Sequence, residues 1–189
     1  ARADPRERWA LAGAWRVRAA LLAALQDAPT AATSLAQARA IAEQMCADAP
    51  GEQMPARFLA RTLLDQADHA LRTGKLKVAL EAADASRMVT EAFAQATDKA
   101  PDWMSDLAAA WDRLGEIARA CNAQHEDAFA RAVEIQRQAK ERDDDARRAR
   151  ALAASLIKLG DANLAANNRK SARNAFSEAV DLRLHLAET

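Results

Sequence analysis

Few residues of this chain have side chains suited to chemistry. The histidines are His69, His125 and His185, and the cysteines are Cys46 and Cys121. Their spacing matches no zinc site, and neither cysteine joins a histidine in a ligand pattern. His125-Glu126-Asp127 lacks the second histidine of a zinc-protease helix. All three histidines are therefore expected at the surface, and both cysteines are expected as small buried hydrophobes rather than a disulfide. The run Asp143-Asp144-Asp145 lacks the alternation, glycine and distant glutamate of a calcium loop. Arg147, Arg148 and Arg150 follow it, which suits acids that cap a helix start. No glycine-rich phosphate loop, serine nucleophile elbow or pocket-like carboxylate pair is present. No catalytic, cofactor or metal residue is assigned.

The elements that position these residues are helices. Of 189 residues, 52 are alanine, and glycine and proline number 5 each. Alanine is the best helix former and a poor strand former, so sheet folds are excluded. Periodicity runs almost end to end. Ala28-Pro29, Ala49-Pro50-Gly51, Pro55, Gly74, Pro101 and Asn167-Asn168 punctuate it. Proline suits the first turn of a helix, and glycine or asparagine suits its end. The spacing predicts eight helices, near 5–26, 31–48, 54–73, 76–97, 102–121, 124–142, 146–166 and 169–187.

Charge and length narrow the function. Lys plus Arg is 27 and Asp plus Glu is 27, a formal net charge of zero. That argues against a broad grip on nucleic acid or an anionic membrane. No apolar run is long enough to span a membrane, and the charged start is unlike a signal peptide. A cytoplasmic location is the expectation. The chain begins without Met, so it is expected to be a piece of a longer protein.

Internal repeats decide between a closed bundle and a stack of hairpins. Leu114-Gly115 matches Leu159-Gly160 at an offset of 45. Ala128-Phe129 matches Ala175-Phe176, and Ala132-Val133 matches Ala179-Val180, at an offset of 47. Two residues are thus missing from the intervening turn of the earlier copy. Ala67, Ala70, Gly74, Ala79, Ala83 and Ser86 repeat the small-residue ladder. The stretch 14–48 has the right length and an alanine-rich second helix, without a fixed register.

This frame resembles the tetratricopeptide repeat (TPR). Leu159, Gly160, Ala172, Phe176 and Ala179 fit the family's intervals. Leu114, Gly115, Phe129 and Ala132 keep them, with His125 in the small residue's place. Gln66-Ala67 replaces Leu-Gly in the copy before. The resemblance covers 59–189 best, and the period exceeds the family's ~34. It is similar to long-period arrays of bacterial multidomain proteins, beside signalling NTPase, protease or other effector domains. It implies an all-α fold: an α-solenoid of about four antiparallel hairpins near 5–48, 54–97, 102–142 and 146–187, forming a single repeat domain over 1–189.

The resemblance further implies a non-catalytic scaffold binding a protein, a peptide, a helix or an adjacent domain in a groove lined by the first helix of each hairpin. Projecting the frame places Arg61, Asp65, Asp68, Arg72, Asp112, Arg113, Glu116, Arg119, Lys158 and Asp161 on or beside it. Mixed acids and bases at these positions argue against the Lys/Asn/Arg clamp of chaperone-binding members. The bland alternative is a solvated face with ion pairs worth about 0.2–0.5 kcal/mol each. Trp111 is expected in the core, Trp103 at the edge of the groove, and Trp9 and Trp15 either buried or on a partner surface. Two further functions stay open: a sensor or regulatory arm of a larger effector, and a helical-bundle enzyme or ligand carrier.

Overall fold

The computed structural model describes residues 4–188. Eight helices follow one another: α1 (Pro5–Ala24), α2 (Ala28–Asp48), α3 (Gln53–Arg72), α4 (Leu76–Ala96), α5 (Pro101–Ala120), α6 (Glu126–Arg142), α7 (Ala146–Ala165) and α8 (Arg169–Glu188). No strand occurs among the described residues. Prolines stand in the first turn of α1, α2 and α5, where their missing N–H costs nothing. Aspartates cap three helix starts: Asp4 accepts from the Arg6 amide at 2.9 Å, Asp27 from Thr30 at 3.2 Å and Asp145 from Arg148 at 3.0 Å. The acidic run therefore works as a helix start. Asp143 adds to it by taking the Arg148 guanidinium at 2.6 Å.

The turns inside the four hairpins are built alike. Gln26, Gly74, Asn122 and Asn167 all have positive φ, at 61°, 71°, 53° and 61°. Each donates its N–H three residues back, and the next residue donates five back: Asp27 to Leu22, Lys75 to Ala70, Ala123 to Ala118 and Asn168 to Asn163, at 2.8–2.9 Å. These bonds satisfy carbonyls that a helix end would otherwise leave orphaned. Only one of the four positions is glycine, so three carry the strain of a left-handed side-chain-bearing residue. The shared turn also fixes the register of the first hairpin. The turns stand 48, 48 and 45 residues apart, from 26 to 74 to 122 to 167. The two residues missing from the third copy come out of the start of α6, which has 17 residues where its neighbours have 20.

The chain divides into two compact units, Ala1–Val89 and Thr90–Thr189, the boundary falling inside α4. In the first unit α1 packs on α2 and α2 on α3. Ser86 of α4 donates to the Ala60 carbonyl of α3 at 2.9 Å. In the second unit α5, α6, α7 and α8 each pack on the next. Val133, Leu152, Leu156, Ala175 and Ala179 form a closed core cluster there.

The Leu-Gly and Phe positions account for the tight packing of the second unit. A Cβ at Gly115 would stand 2.8 Å from the Phe129 ring, and one at Gly160 would stand 2.5 Å from Phe176. Both contacts lie within one hairpin, α5 on α6 and α7 on α8, and not between hairpins. Gly115 and Gly160 each precede their turn residue by the same seven positions as Ala19 and Ala67 do. Across the turn, Phe176 is matched by Leu35 and Ala83. The first unit thus puts Ala/Leu and Ala/Ala where the second puts Gly/Phe.

Several sequence expectations are corrected. Trp103 does not edge a groove: it is 1% exposed and stacks on Phe93 with centroids 4.8 Å apart. Trp111 is only partly buried. Cys46 is partly buried and Cys121 exposed, because Cys121 sits in the cap of α5 rather than on its packed face.

Candidate functional site

A cleft of about 730 Å³ opens in the first unit between α1 and α3. Its floor is Ala19, Ala20, Ala23 and Ala24 of α1 with Leu35 of α2, and Val17 stands at its side. Ala19 and Leu35 are buried at its base, 3% and 4% exposed. Asp65, Asp68, His69 and Arg72 of α3, with Arg16 of α1, form the polar wall.

The wall is held in place. Arg16 Nε donates to Asp65 Oδ2 at 2.7 Å, tying α1 to α3. The same guanidinium lies 5.2 Å from the centre of the Phe58 ring, which Trp9 meets edge-on at 4.9 Å. Arg8 pairs with Asp48, tying α1 to α2. Trp15 is partly buried, with the Arg18 guanidinium 5.0 Å from its ring centre. The first-hairpin tryptophans are thus engaged with their own unit on one side.

His69 was expected at the surface and is 6% exposed. Nothing in a lone histidine on an alanine-rich helix signals burial; the packing of α2 on α3 produces it. Burial pushes its basicity down, Arg72 and Lys75 push the same way, and a hydrogen bond to the Ala28 backbone pushes back. That bond favours the charged ring, so the ring donates to the carbonyl. Nε2 has no partner among the described residues, so Nδ1–H is the donor. At neutral pH Nε2 then carries a lone pair. His69 and Leu35 also line an adjoining pocket of about 370 Å³ on the α2–α4 side.

The other sequence-selected residues fall into a second group. In the second unit Lys158 Nζ lies 3.2 Å from Asp112 Oδ2 and 2.8 Å from Glu116 Oε1. Ser155 Oγ donates to Asp112 at 2.9 Å, and Arg113 pairs with Glu116. Asp112 is 8% exposed and so lies beneath the surface where it was expected. Burial raises its pKa, and Lys158 and Ser155 partly offset that. For Lys158 burial works downward, but Asp112 and Glu116 win and raise its pKa. These acids and bases neutralise one another and tie α5 to α7, which leaves them little to offer a partner. Arg61, Arg119 and Asp161 are exposed. Sequence reasoning thus selected Asp65, Asp68 and Arg72 of the cleft wall, and missed Val17, Ala20, Ala23, Leu35 and His69. Only the first hairpin's register would have found them.

Among the described residues no group of three or more His, Cys, Asp or Glu is placed to hold a metal ion, and no helix is long and apolar enough to cross a membrane.

No protein-family model and no curated protein matches the chain. Solved structures do. The de novo designed helical repeat protein DHR64 superposes with a TM-score of 0.57 at 17% identity, over 98% of this chain and 95% of that one. The DHF58 filament gives 0.56 at 18%, over 97% of each. BtubC (BKLC) from P. vanneervenii gives 0.55 at 15%, over 98% and 85%. The chain therefore has an all-α helical-repeat fold, with eight helices in four hairpins among the described residues.

Proposed function

We propose that the protein is a non-catalytic interaction module and that the α1–α3 cleft of the first unit receives a partner's peptide or helix. The cleft itself carries this reading. It has the size of a ligand site, an apolar floor, and a wall of both charge signs on packed helices. A helix or extended segment lays apolar side chains into such a floor and takes its register from the polar wall. The same reading makes the 189-residue chain one repeat domain of a bacterial, cytoplasmic protein, in which the cleft serves scaffolding or regulation.

The test is selection of a random 12-residue displayed peptide library on the wild-type chain and on Ala20→Trp. Ala20 is exposed on the cleft floor, so the indole fills the cleft without entering the core. Enrichment of apolar peptides by wild type, with binding lost by more than about tenfold on Ala20→Trp, supports the reading. No enrichment, or equal binding to both, overturns it.

A further inference from the structure

The first and last helices expose the two halves of a contact that the chain makes internally. In the second unit the α6–α7 joint is built on Val133 of α6, which is 1% exposed and shares a core cluster with Leu152 and Leu156 of α7. At the 47-residue offset of the repeat the Val133 position on α8 is Val180, and it is 54% exposed. Beside it Phe176 is only partly covered, where Phe129 is buried, and with Leu164 these residues line an open groove of about 610 Å³. The other half is on α1. A leucine stands 15 positions before the turn residue of every hairpin: Leu11, Leu59, Leu107 and Leu152. Leu152 is 3% exposed and Leu11 is 50% exposed. Five positions before the turn, His69, Ile117 and Ala162 are all buried, whereas Leu21 is 61% exposed. Neither Leu11 nor Leu21 lines the α1–α3 cleft.

We propose that α8 of one copy of this chain docks on α1 of a second copy, head to tail. Val180 then stands against Leu11 and Trp15 as Val133 stands against Leu152 and Leu156. Trp15 and Leu156 each precede their turn residue by 11 positions, so the frame of the two contacts is the same. A second copy fits because the chain carries both halves of one joint, a valine face on its last helix and a leucine face on its first. An apolar outer face on a helical repeat is one that another repeat covers. Charge agrees with this docking. α6 and α7 are joined by the short loop 143–145 and run antiparallel, so the end of one lies by the start of the other. The same arrangement brings Arg183, near the end of α8, to the end of α1 that carries Glu7. The contact is heterologous: a copy held through its α8 still offers its α1, so association is open-ended. It is independent of the cleft, which lies on another side of α1.

The test is sedimentation equilibrium of the 189-residue chain and of two variants, Leu11→Glu and Val180→Glu. Both side chains are exposed, so the charge enters no core. The wild type should rise above its monomer mass of 20.4 kDa between about 10 μM and about 1 mM, and pass beyond a dimer at the upper end. Each variant alone should lose association by more than about tenfold. Their equimolar mixture should form a dimer and nothing larger, because Val180→Glu keeps a sound α1 and Leu11→Glu a sound α8. Leu11→Ser and Val180→Ser stand in for either charged variant that loses helix content by circular dichroism. A wild type that stays monomeric throughout overturns the inference and assigns the two faces to other occupants. So does a variant that associates as the wild type does, which would mark an α8–α8 or α1–α1 contact instead. A mixture that remains monomeric while the wild type associates overturns it as well.

Discussion

The two units answer one steric problem in opposite ways. Where two antiparallel helices of a hairpin come together, the second unit removes every side-chain atom from one helix and places a ring on the other. Gly115 meets Phe129 and Gly160 meets Phe176 with no room for a Cβ. The first unit keeps a methyl group on the first helix and shrinks the partner, with Ala19 opposite Leu35 and Ala67 opposite Ala83. These four residues are 3%, 4%, 0% and 0% exposed, so both solutions bury the position. They differ in how the volume is shared: the ring solution leaves no room for a Cβ opposite it, and the small-residue solution accommodates one.

The largest expected effect breaks the ring solution outright. Phe129→Ala should cost the second unit about 3–4 kcal/mol, since a ring 1% exposed leaves a cavity against glycine. Guanidinium unfolding read by hydrogen exchange in α5 and α6 measures it, and a loss under about 1 kcal/mol would show that the ring is not the keystone of that hairpin. The reciprocal change comes next. Gly160→Leu should cost about 1–3 kcal/mol by overpacking against Phe176. In the first unit Ala83→Phe should cost a similar amount alone, and adding Ala67→Gly should recover about 1 kcal/mol of it. Strict additivity of the pair would sever the equivalence between the units.

Smaller effects lie in the turns. Asn167→Ala should cost about 1 kcal/mol, whereas Asn167→Gly and Gln26→Gly should be neutral or slightly stabilising, because only glycine enters the left-handed region without strain. Thermal midpoints would show it; a costly Gln26→Gly would mean that the glutamine side chain holds its turn. The smallest effect is a pH slope confined to the first unit. His69 is less basic folded than its ordinary value of 6.5. The unfolded chain therefore takes up the proton first as pH falls, and stability drops through and below that value. Above it the stability contributed by the neutral ring is fully present. His69→Leu should flatten this part of the profile; an unchanged slope would place the titrating group elsewhere.

Much of the fold was legible because punctuation is chemical. Proline at a helix start and Gly74 or Asn167 at a helix end mark boundaries within a few residues. The Gly160 and Phe176 spacing likewise announces a contact. The first hairpin hid its register because its turn residue is Gln26, a type that does not advertise a left-handed backbone, and because alanine at position 19 looks like any other alanine. The site suffered from the same gap. A charged residue shows which face of a helix it occupies, so Asp65, Asp68 and Arg72 were found. A cleft is defined by missing volume, and no residue type at positions 19, 20, 23 or 35 records an absence. His69 was misjudged because burial comes from the helix packed over it. Asp112 and Lys158 were selected for their charge, yet that charge is spent within their own unit.

The shared hairpin turn has a consequence for ancestry. Each turn is closed by main-chain bonds that reach back only three and five residues, from Asn168 to Asn163 and likewise in the other three. Such a turn needs no distant sequence to hold its shape, so a hairpin copied elsewhere in a gene arrives with its geometry intact. Its helix faces are then free to diverge. One descendant can keep a ring against glycine, and another can carry alanine and leucine at the same positions. Duplication followed by change on the helix faces is thus a short route from one hairpin to several with different surfaces.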